Sequence, residues 1–144
     1  MKYKRIVIII FMIIWAAGIY IASNQPNLLA VPLLKKYNLI HSNFNKTQID
    51  LLEFIIRKTM HIFEYFVLTV LLYVALKSFY IRLSIFLAPG LSLIFAVSDE
   101  WHQYYVPGRD GKLSDIFIDS IGIFLALIFI ILTNLLISIK QSSK

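Results

Sequence analysis

Four long, mainly apolar runs constrain this chain more than any other feature. They cover about residues 6–22, 60–77, 82–98 and 115–139, and the first of them carries no charged side chain. A helix needs about 20 mainly apolar residues to cross the roughly 30 Å hydrocarbon core of a bilayer. The chain is 59% hydrophobic, whereas soluble domains contain about 45–50% apolar residues. We therefore predict an all-α, polytopic integral membrane protein, in which residues 1–144 form one domain built as a four-transmembrane-helix bundle.

The connection between the first two runs mixes apolar and basic residues instead of being mainly apolar. Residues 27–46 mix leucines with Lys35 and Lys36, and this pattern predicts a short interfacial segment after the first helix. Thr47, with Asp50 three residues later, predicts the N-terminal cap of the second helix. A helix from there to the end of the second run is longer than the hydrocarbon core, at about 1.5 Å per residue. Its first third must therefore project beyond the apolar layer.

The distribution of charge predicts how the bundle is oriented. Four spans place both termini on one side, which then carries seven basic residues and no acid, while the other side carries seven basic residues and all eight acids. The basic residues of the terminal side are crowded close to helix ends, where the positive-inside rule is strongest. We therefore expect both termini in the cytoplasm and the acidic, polar side facing outward.

Composition also excludes several classes of function. The chain has no cysteine, which rules out disulfides, thiolate metal sites and a cysteine nucleophile. The chain has a net charge of +6, and its charged residues lie at the ends of apolar runs. This distribution fits attraction to anionic lipid better than binding of nucleic acid. The predicted partner is thus the lipid bilayer and not a nucleic acid.

Polar stripes lie at the outward ends of three helices. Arg57, His61 and Glu64 follow one another at helical spacing and share a face. Ionisable groups at membrane depth are costly, so their convergence indicates a functional site. The predicted catalytic residues are His61, Glu64, Glu100 and His102, and the predicted binding residues are Arg57, Lys58, Asp99, Gln103, Arg109, Asp115 and Asp119.

Three functions are compatible with this set of residues. In a binding protein, Arg57, Lys58 and Arg109 would hold an anionic headgroup, because guanidinium groups bind phosphate in a bidentate manner. In an intramembrane hydrolase or transferase acting on a lipid-linked substrate, a histidine would be the general base and a glutamate the acid. The sequence does not distinguish an enzyme from a binding protein.

The third alternative is a structural scaffold with a buried polar network. In that case Arg57 is expected to pair with Asp115 or Asp119, and His61 with Glu64 or Asp99, so that the bundle is held in register.

A divalent metal is a further alternative with weaker support. His61, Glu64 and His102, with Asp99 or Glu100, supply imidazole and carboxylate ligands. Their spacing is not the His-Glu-x-x-His of metalloproteases, and carboxylates among basic residues more often form salt bridges. The sequence therefore predicts no specific metal ligands and identifies no cofactor.

The same residues fall into a series of short motifs. These are Ser23-Asn-Gln25, Arg57-Lys-Thr-Met-His61 with Glu64-Tyr65, Asp99-Glu-Trp-His-Gln103, Val106-Pro-Gly-Arg109, and Asp115 with Asp119-Ser-Ile-Gly122. In these motifs and their order the chain resembles VanZ-like membrane proteins over nearly its whole length. The resemblance implies a small multi-pass protein of the bacterial cytoplasmic membrane. The family is named for an accessory protein that lowers susceptibility to the glycopeptide antibiotic teicoplanin.

Together, residues and resemblance predict an outward-facing site that binds or modifies a component of the cell envelope. The candidate ligands are an anionic lipid headgroup, a lipid-linked cell-wall precursor or a glycopeptide, and a contribution to teicoplanin resistance is the implied biological role. The oligomeric state is not indicated by the sequence.

Overall fold

A computed structural model of the protein describes residues 2–25, 36, 44–109 and 111–143. These residues form four helices and contain no strand, which confirms the predicted all-α fold. The helices are α1 (Lys2–Ser23), α2 (Lys46–Ser78), α3 (Ser84–Tyr104) and α4 (Leu113–Ser142). The predicted interfacial segment over residues 27–46 lies almost entirely outside the described residues.

Contacts between helix ends show that the helices alternate in direction. The Arg5 guanidinium, at the start of α1, lies 5.3 Å from the centre of the Phe79 ring, just after α2. The Lys77 ammonium, at the end of α2, donates to Asn134 Oδ1 near the end of α4, at 2.7 Å. We call this end of the bundle the terminal end, since α1 begins there and α4 ends there. The opposite end, where α1 and α3 finish and α2 and α4 begin, is the polar end.

Small residues allow α3 to pack closely against its neighbours. Ser84, Ala88, Ser92 and Ala96 recur at every fourth position and all are buried. The Thr69 hydroxyl on α2 donates to Ser92 Oγ at 2.8 Å. In membranes, where apolar lipid competes with apolar packing, small residues and interhelical hydrogen bonds are the usual basis of helix association.

The closest approach between α2 and α4 occurs at Gly122. A Cβ atom built on Gly122 would lie 2.1 Å from the carbonyl oxygen of Ile62, so the two backbones are in direct contact there. One layer deeper, Ile19, Tyr65, Leu68, Ala96 and Ile123 form a buried cluster to which all four helices contribute. The crossing at Gly122 therefore fixes α2 against α4 immediately below the polar end.

Three of the described helices are long and apolar enough to cross a membrane: Tyr3–Ser23, Lys46–Ser78 and Leu113–Ser142. Helix α3 is not among them, because its last turns are polar and lower its mean hydropathy. The side of α3 that faces away from the other helices is nevertheless apolar, with Phe86 and Ile94 74% and 67% exposed. The chain is thus a membrane protein with at least three helices suited to spanning.

Two predicted helix boundaries need correction. The cap of α2 is Asn45 and not Thr47: its side chain accepts from the Gln48 amide, and the Gln48 side chain accepts from the Asn45 amide, which is a capping box. Helix α4 was expected to begin near Asp115 but begins at Leu113. The third apolar run was expected to end near residue 98, but α3 continues to Tyr104, so Asp99 and Gln103 lie one turn apart on one face of it.

Candidate functional site

The polar end holds most of the buried polar side chains of the described residues. Seven of the ten that are buried lie there: Ser23, His61, Asp99, Glu100, Gln103, Asp115 and Asp119. They come from all four helices. The convergence predicted from helical periodicity is therefore present, and each member has its own hydrogen-bonding environment.

Asp99 joins α3 to the end of α1. Its Oδ2 atom accepts from Ser23 Oγ at 2.9 Å and from Gln103 Nε2 at 2.8 Å. Its other oxygen, Oδ1, is buried without a hydrogen-bond partner in the described part of the chain. The Asp99–Gln103 contact follows from their spacing of one helical turn, whereas the contact with Ser23 depends on how α1 and α3 pack.

His61 and Asp119 form a buried pair between α2 and α4. The His61 Nδ1 atom lies 3.0 Å from Asp119 Oδ1, and Asp119 is fully buried. The pairings expected for a scaffold, His61 with Glu64 or Asp99, were wrong. The reason is the close crossing of α2 and α4 at Gly122. Asp119 precedes Gly122 by one turn, so its carboxylate lies against α2 beside His61.

The expected pairing of Arg57 with Asp115 or Asp119 is also wrong. Lys58, one residue further along α2, is the residue whose ammonium contacts Asp115 Oδ1. The hydroxyl of Ser114 donates to the same oxygen at 3.1 Å. This ion pair joins the N-terminal part of α2 to the first turn of α4. Arg57 lies on the neighbouring face of α2 and is exposed.

Glu100 holds the loop before α4 against α3. Its Oε2 accepts from the backbone N–H of Lys112 at 3.0 Å, while its Oε1 is buried without a partner among the described residues. A Cβ atom on Gly111 would lie 2.5 Å from the Glu100 carbonyl oxygen. Only glycine therefore fits between the loop and the helix at this position.

Arg109 forms hydrogen bonds with backbone carbonyls at and just after the C-terminus of α1. One guanidinium nitrogen, Nη2, donates to the carbonyls of Ala22 and Gln25 at 2.7 and 3.0 Å. Ala22 lies in the last turn of α1, where carbonyls lack the usual partner four residues later, and its carbonyl also accepts from the Gln25 amide at 3.1 Å. Burial, and then the nearby charge of Arg57, lower the pKa of the Arg109 guanidinium. Part of its hydrogen-bonding capacity is thus committed to the fold.

His102 is directed toward α1. Its Nε2 lies 3.0 Å from Asn24 Oδ1, and its ring lies 4.8 Å from the ring of Tyr20, centre to centre. It lines neither of the two cavities that contain Arg57 and Arg109, whereas His61 lines one of them. The two histidines predicted as candidate bases therefore occupy different environments.

Two of the cavities at the polar end are lined by both Arg57 and Arg109. The smaller, of about 90 Å³, is lined by the predicted stripe Arg57, His61 and Glu64 together with Arg109, so the prediction that the stripe shares one face is confirmed. The larger, of about 500 Å³, we call the basic groove. Its charged lining residues are Arg57, Lys58, Arg109, Lys112, Asp50, Glu53 and Asp115.

Three of the groove's charged residues were not among the predicted site residues. Asp50 and Glu53 precede Arg57 on α2 at helical spacing, and that periodicity was a usable signal. Lys112 enters the groove from the loop, and nothing in its sequence context indicates the path of that loop.

A family model described as VanZ/LLP1 matches residues 7–136. No curated protein and no solved structure matches the chain. The matched region includes every residue that lines the two cavities.

Proposed function

The chain belongs to the VanZ/LLP1 family, and on that premise we propose that its polar end binds the anionic headgroup of a cell-envelope lipid or lipid-linked cell-wall precursor. The protein would span the bacterial cytoplasmic membrane four times, as one domain, with the polar end facing outward. The observation that carries this proposal is the basic groove, in which four cationic side chains surround one opening.

The size and chemistry of the groove suit a phosphorylated headgroup. Its volume of about 500 Å³ falls within the range of small-molecule sites, about 300–1,000 Å³. Guanidinium groups bind phosphate oxygens through paired, charge-assisted hydrogen bonds. Two of the three acids of the groove, Asp50 and Glu53, are acceptors that suit sugar hydroxyl or amide groups of the same ligand.

Arg57 is the cation best placed to contact a ligand. Lys58 is paired with Asp115, and Arg109 donates to α1. Arg57 is exposed and lines both the small cavity and the basic groove. A headgroup in either cavity can therefore contact Arg57.

The proposal of a fourth span rests on α3. Its 21 residues give a length of about 32 Å at 1.5 Å per residue, which matches the hydrocarbon core. It buries small and polar residues while exposing apolar ones to its surroundings. This arrangement is typical of a membrane helix that packs through small residues.

The proposal is tested by headgroup binding to the protein in lipid nanodiscs. The probe is a fluorescent polyprenyl phosphate, and the variant is Arg57→Ala. We expect the variant to bind at least about tenfold more weakly, since a hydrogen bond to a charged group contributes about 1.5–3 kcal/mol. The matched control is Arg82→Ala, which removes the same charge at the terminal end and should bind like the wild type.

Two results would contradict the proposal: no binding by the wild-type protein, or an equal loss in both variants. Teicoplanin tolerance of cells expressing the same proteins separates the biochemical proposal from the biological one. Tolerance that rises with the wild type but not with Arg57→Ala supports a role in resistance. Binding without any change in tolerance keeps the headgroup site and rejects that role.

A further inference from the structure

Three side chains from three different helices converge below the basic groove. His61 on α2, Glu100 on α3 and Asp119 on α4 each place one potential ligand atom within 4.8 Å of the other two. All three residues are buried, with 7%, 4% and 0% of their surfaces exposed. From this cluster and from the carboxylate oxygens of its two acids that are unpaired within the described residues, we propose that these residues form a binding site for a divalent transition-metal ion, with zinc as the best fit.

The hydrogen bonding of the two acids is incomplete in a way that points to a ligand. In each carboxylate one oxygen is positioned by the protein: Glu100 Oε2 by the Lys112 amide and Asp119 Oδ1 by His61. The second oxygen of each, Glu100 Oε1 and Asp119 Oδ2, is buried without a partner in the described part of the chain. Buried carboxylate oxygens are normally paired or bound to a metal.

Tyr65, on the same helix as His61, carries a further unpaired group. It lies one turn after His61 on α2, is fully buried, and its hydroxyl is also without a partner among the described residues. Metal ligands commonly receive additional hydrogen bonds from surrounding groups or from metal-bound water. A hydroxyl in this position suits that supporting role.

The donor set distinguishes between metals. An imidazole nitrogen suits transition metals such as Zn²⁺, which also accepts carboxylate oxygens, whereas Mg²⁺ and Ca²⁺ prefer oxygen ligands alone. The His61 Nδ1–Asp119 Oδ1 distance is 3.0 Å. Two adjacent ligands held about 2.1 Å from one metal ion are separated by about 3.0–3.4 Å. A metal ion bound by this pair would therefore replace its hydrogen bond with little change in the spacing of the two atoms, and a bidentate Asp119 would use the unpaired Oδ2 as well.

A site with three protein ligands has a coordination position left for water or a ligand. His61 lines the small cavity together with Arg57, Glu64 and Arg109. An anion in that cavity would lie between the metal site and two guanidinium groups. The metal site can nonetheless be tested independently of headgroup binding. If the protein binds zinc but not polyprenyl phosphate, this inference is supported and the proposed function is rejected.

The test is zinc stoichiometry of the full chain, purified in detergent without a histidine tag. After equilibration with Zn²⁺ and desalting, we expect one zinc per wild-type chain by mass spectrometry. The variants Glu100→Gln and Asp119→Asn should each weaken zinc binding at least about tenfold, as loss of a ligand exceeds the loss seen for supporting residues. The matched controls are Glu64→Gln, an acid in the same cavity, and His102→Ala, a histidine on α3. Both should retain one zinc.

Stability of the wild-type protein provides a second readout that does not depend on the folding of variants. Its midpoint of thermal unfolding should rise with Zn²⁺, remain unchanged with Mg²⁺, and return to its starting value with a chelator. The inference is overturned if the wild type binds no zinc, if Zn²⁺ does not stabilise it more than Mg²⁺, or if Glu64→Gln or His102→Ala loses zinc as completely as the ligand variants.

Discussion

The Lys58–Asp115 ion pair joins α2 to α4 at the rim of the polar end. The side chains of its members are only 18% and 11% exposed, so salt screens the pair less than it would a surface pair. Ser114 donates to the same carboxylate oxygen. A pair of this kind is expected to contribute measurably to the free energy of unfolding, whereas exposed pairs contribute little.

Exchange of the two charges measures this contribution. We expect Lys58→Asp and Asp115→Lys each to lower the free energy of unfolding in detergent, and the double variant to recover part of the loss. The coupling energy for residues in contact is about 0.5–3 kcal/mol. Denaturant unfolding of the four proteins, followed by helical circular dichroism, gives this value.

The control uses the neighbouring arginine with the same partner. Arg57→Asp combined with Asp115→Lys should show little coupling, because the structure pairs Asp115 with Lys58. Equal coupling in the two cycles would contradict the observed pairing. The sequence predicted which residues share a helical face, but not the choice between Arg57 and Lys58. That choice depends on the rotation of α2 about its axis, which the packing of the other helices determines.

The close contact between helices α2 and α4 depends on the absence of a side chain at Gly122. No side chain can be added there without moving the backbone at Ile62, since a Cβ would lie 2.1 Å from its carbonyl oxygen. His61 immediately precedes Ile62, and Asp119 precedes Gly122 by about one turn. Separation of the helices at this crossing would therefore also separate the His61–Asp119 pair.

The variant Gly122→Ala tests this dependence. We expect it to lower the free energy of unfolding by about 1–3 kcal/mol, the usual cost of overpacking, as measured by denaturant unfolding. The matched control is Gly90→Ala on α3, where a Cβ meets no atom within 4 Å. Alanine favours a helix over glycine by about 1 kcal/mol, so the control should be neutral or stabilising. A Gly122→Ala protein as stable as Gly90→Ala would contradict the close crossing.

Apolar periodicity was sufficient to predict the helices, but not the connections between them. The capping box at Asn45 was readable from the sequence, because Gln48 follows at the required spacing. The contacts of the loop after α3 were not: Arg109 reaches back to Ala22 and Lys112 meets Glu100. Both contacts join residues on different elements, and helical periodicity carries no information about the path of a loop.

Charge divides the whole molecule into two unlike ends. Seven of the eight acids lie within the described residues, and all seven are on the polar-end portions of α2, α3 and α4. The terminal end instead carries basic residues close to helix ends, among them Arg5, Lys77 and Lys140. Positive residues flanking spans are retained in the cytoplasm. The proposed orientation, with both termini inside, follows from this division.

Cysteine labelling tests the orientation and the number of spans together, because the chain has no cysteine of its own. Thr47→Cys lies at the polar end, while Tyr3→Cys and Gln141→Cys lie at the terminal end, and all three positions are exposed. With four spans and cytoplasmic termini, a membrane-impermeant maleimide should label only Thr47→Cys in intact spheroplasts. All three should react after permeabilisation, which serves as the control for reactivity.

The labelling pattern distinguishes a non-spanning α3 from a reversed orientation, because each helix that crosses the membrane moves the chain to the opposite side. Three spans separate position 47 from position 141 if α3 crosses, but only two if it does not. Labelling of Thr47→Cys and Gln141→Cys from the same side would therefore contradict a spanning α3 and leave the orientation of α1 to be judged from Tyr3→Cys. Labelling of only the two terminal-end positions would keep four spans and reverse the orientation. The basic groove would then face the cytoplasm, and its anionic ligand would have to be sought there.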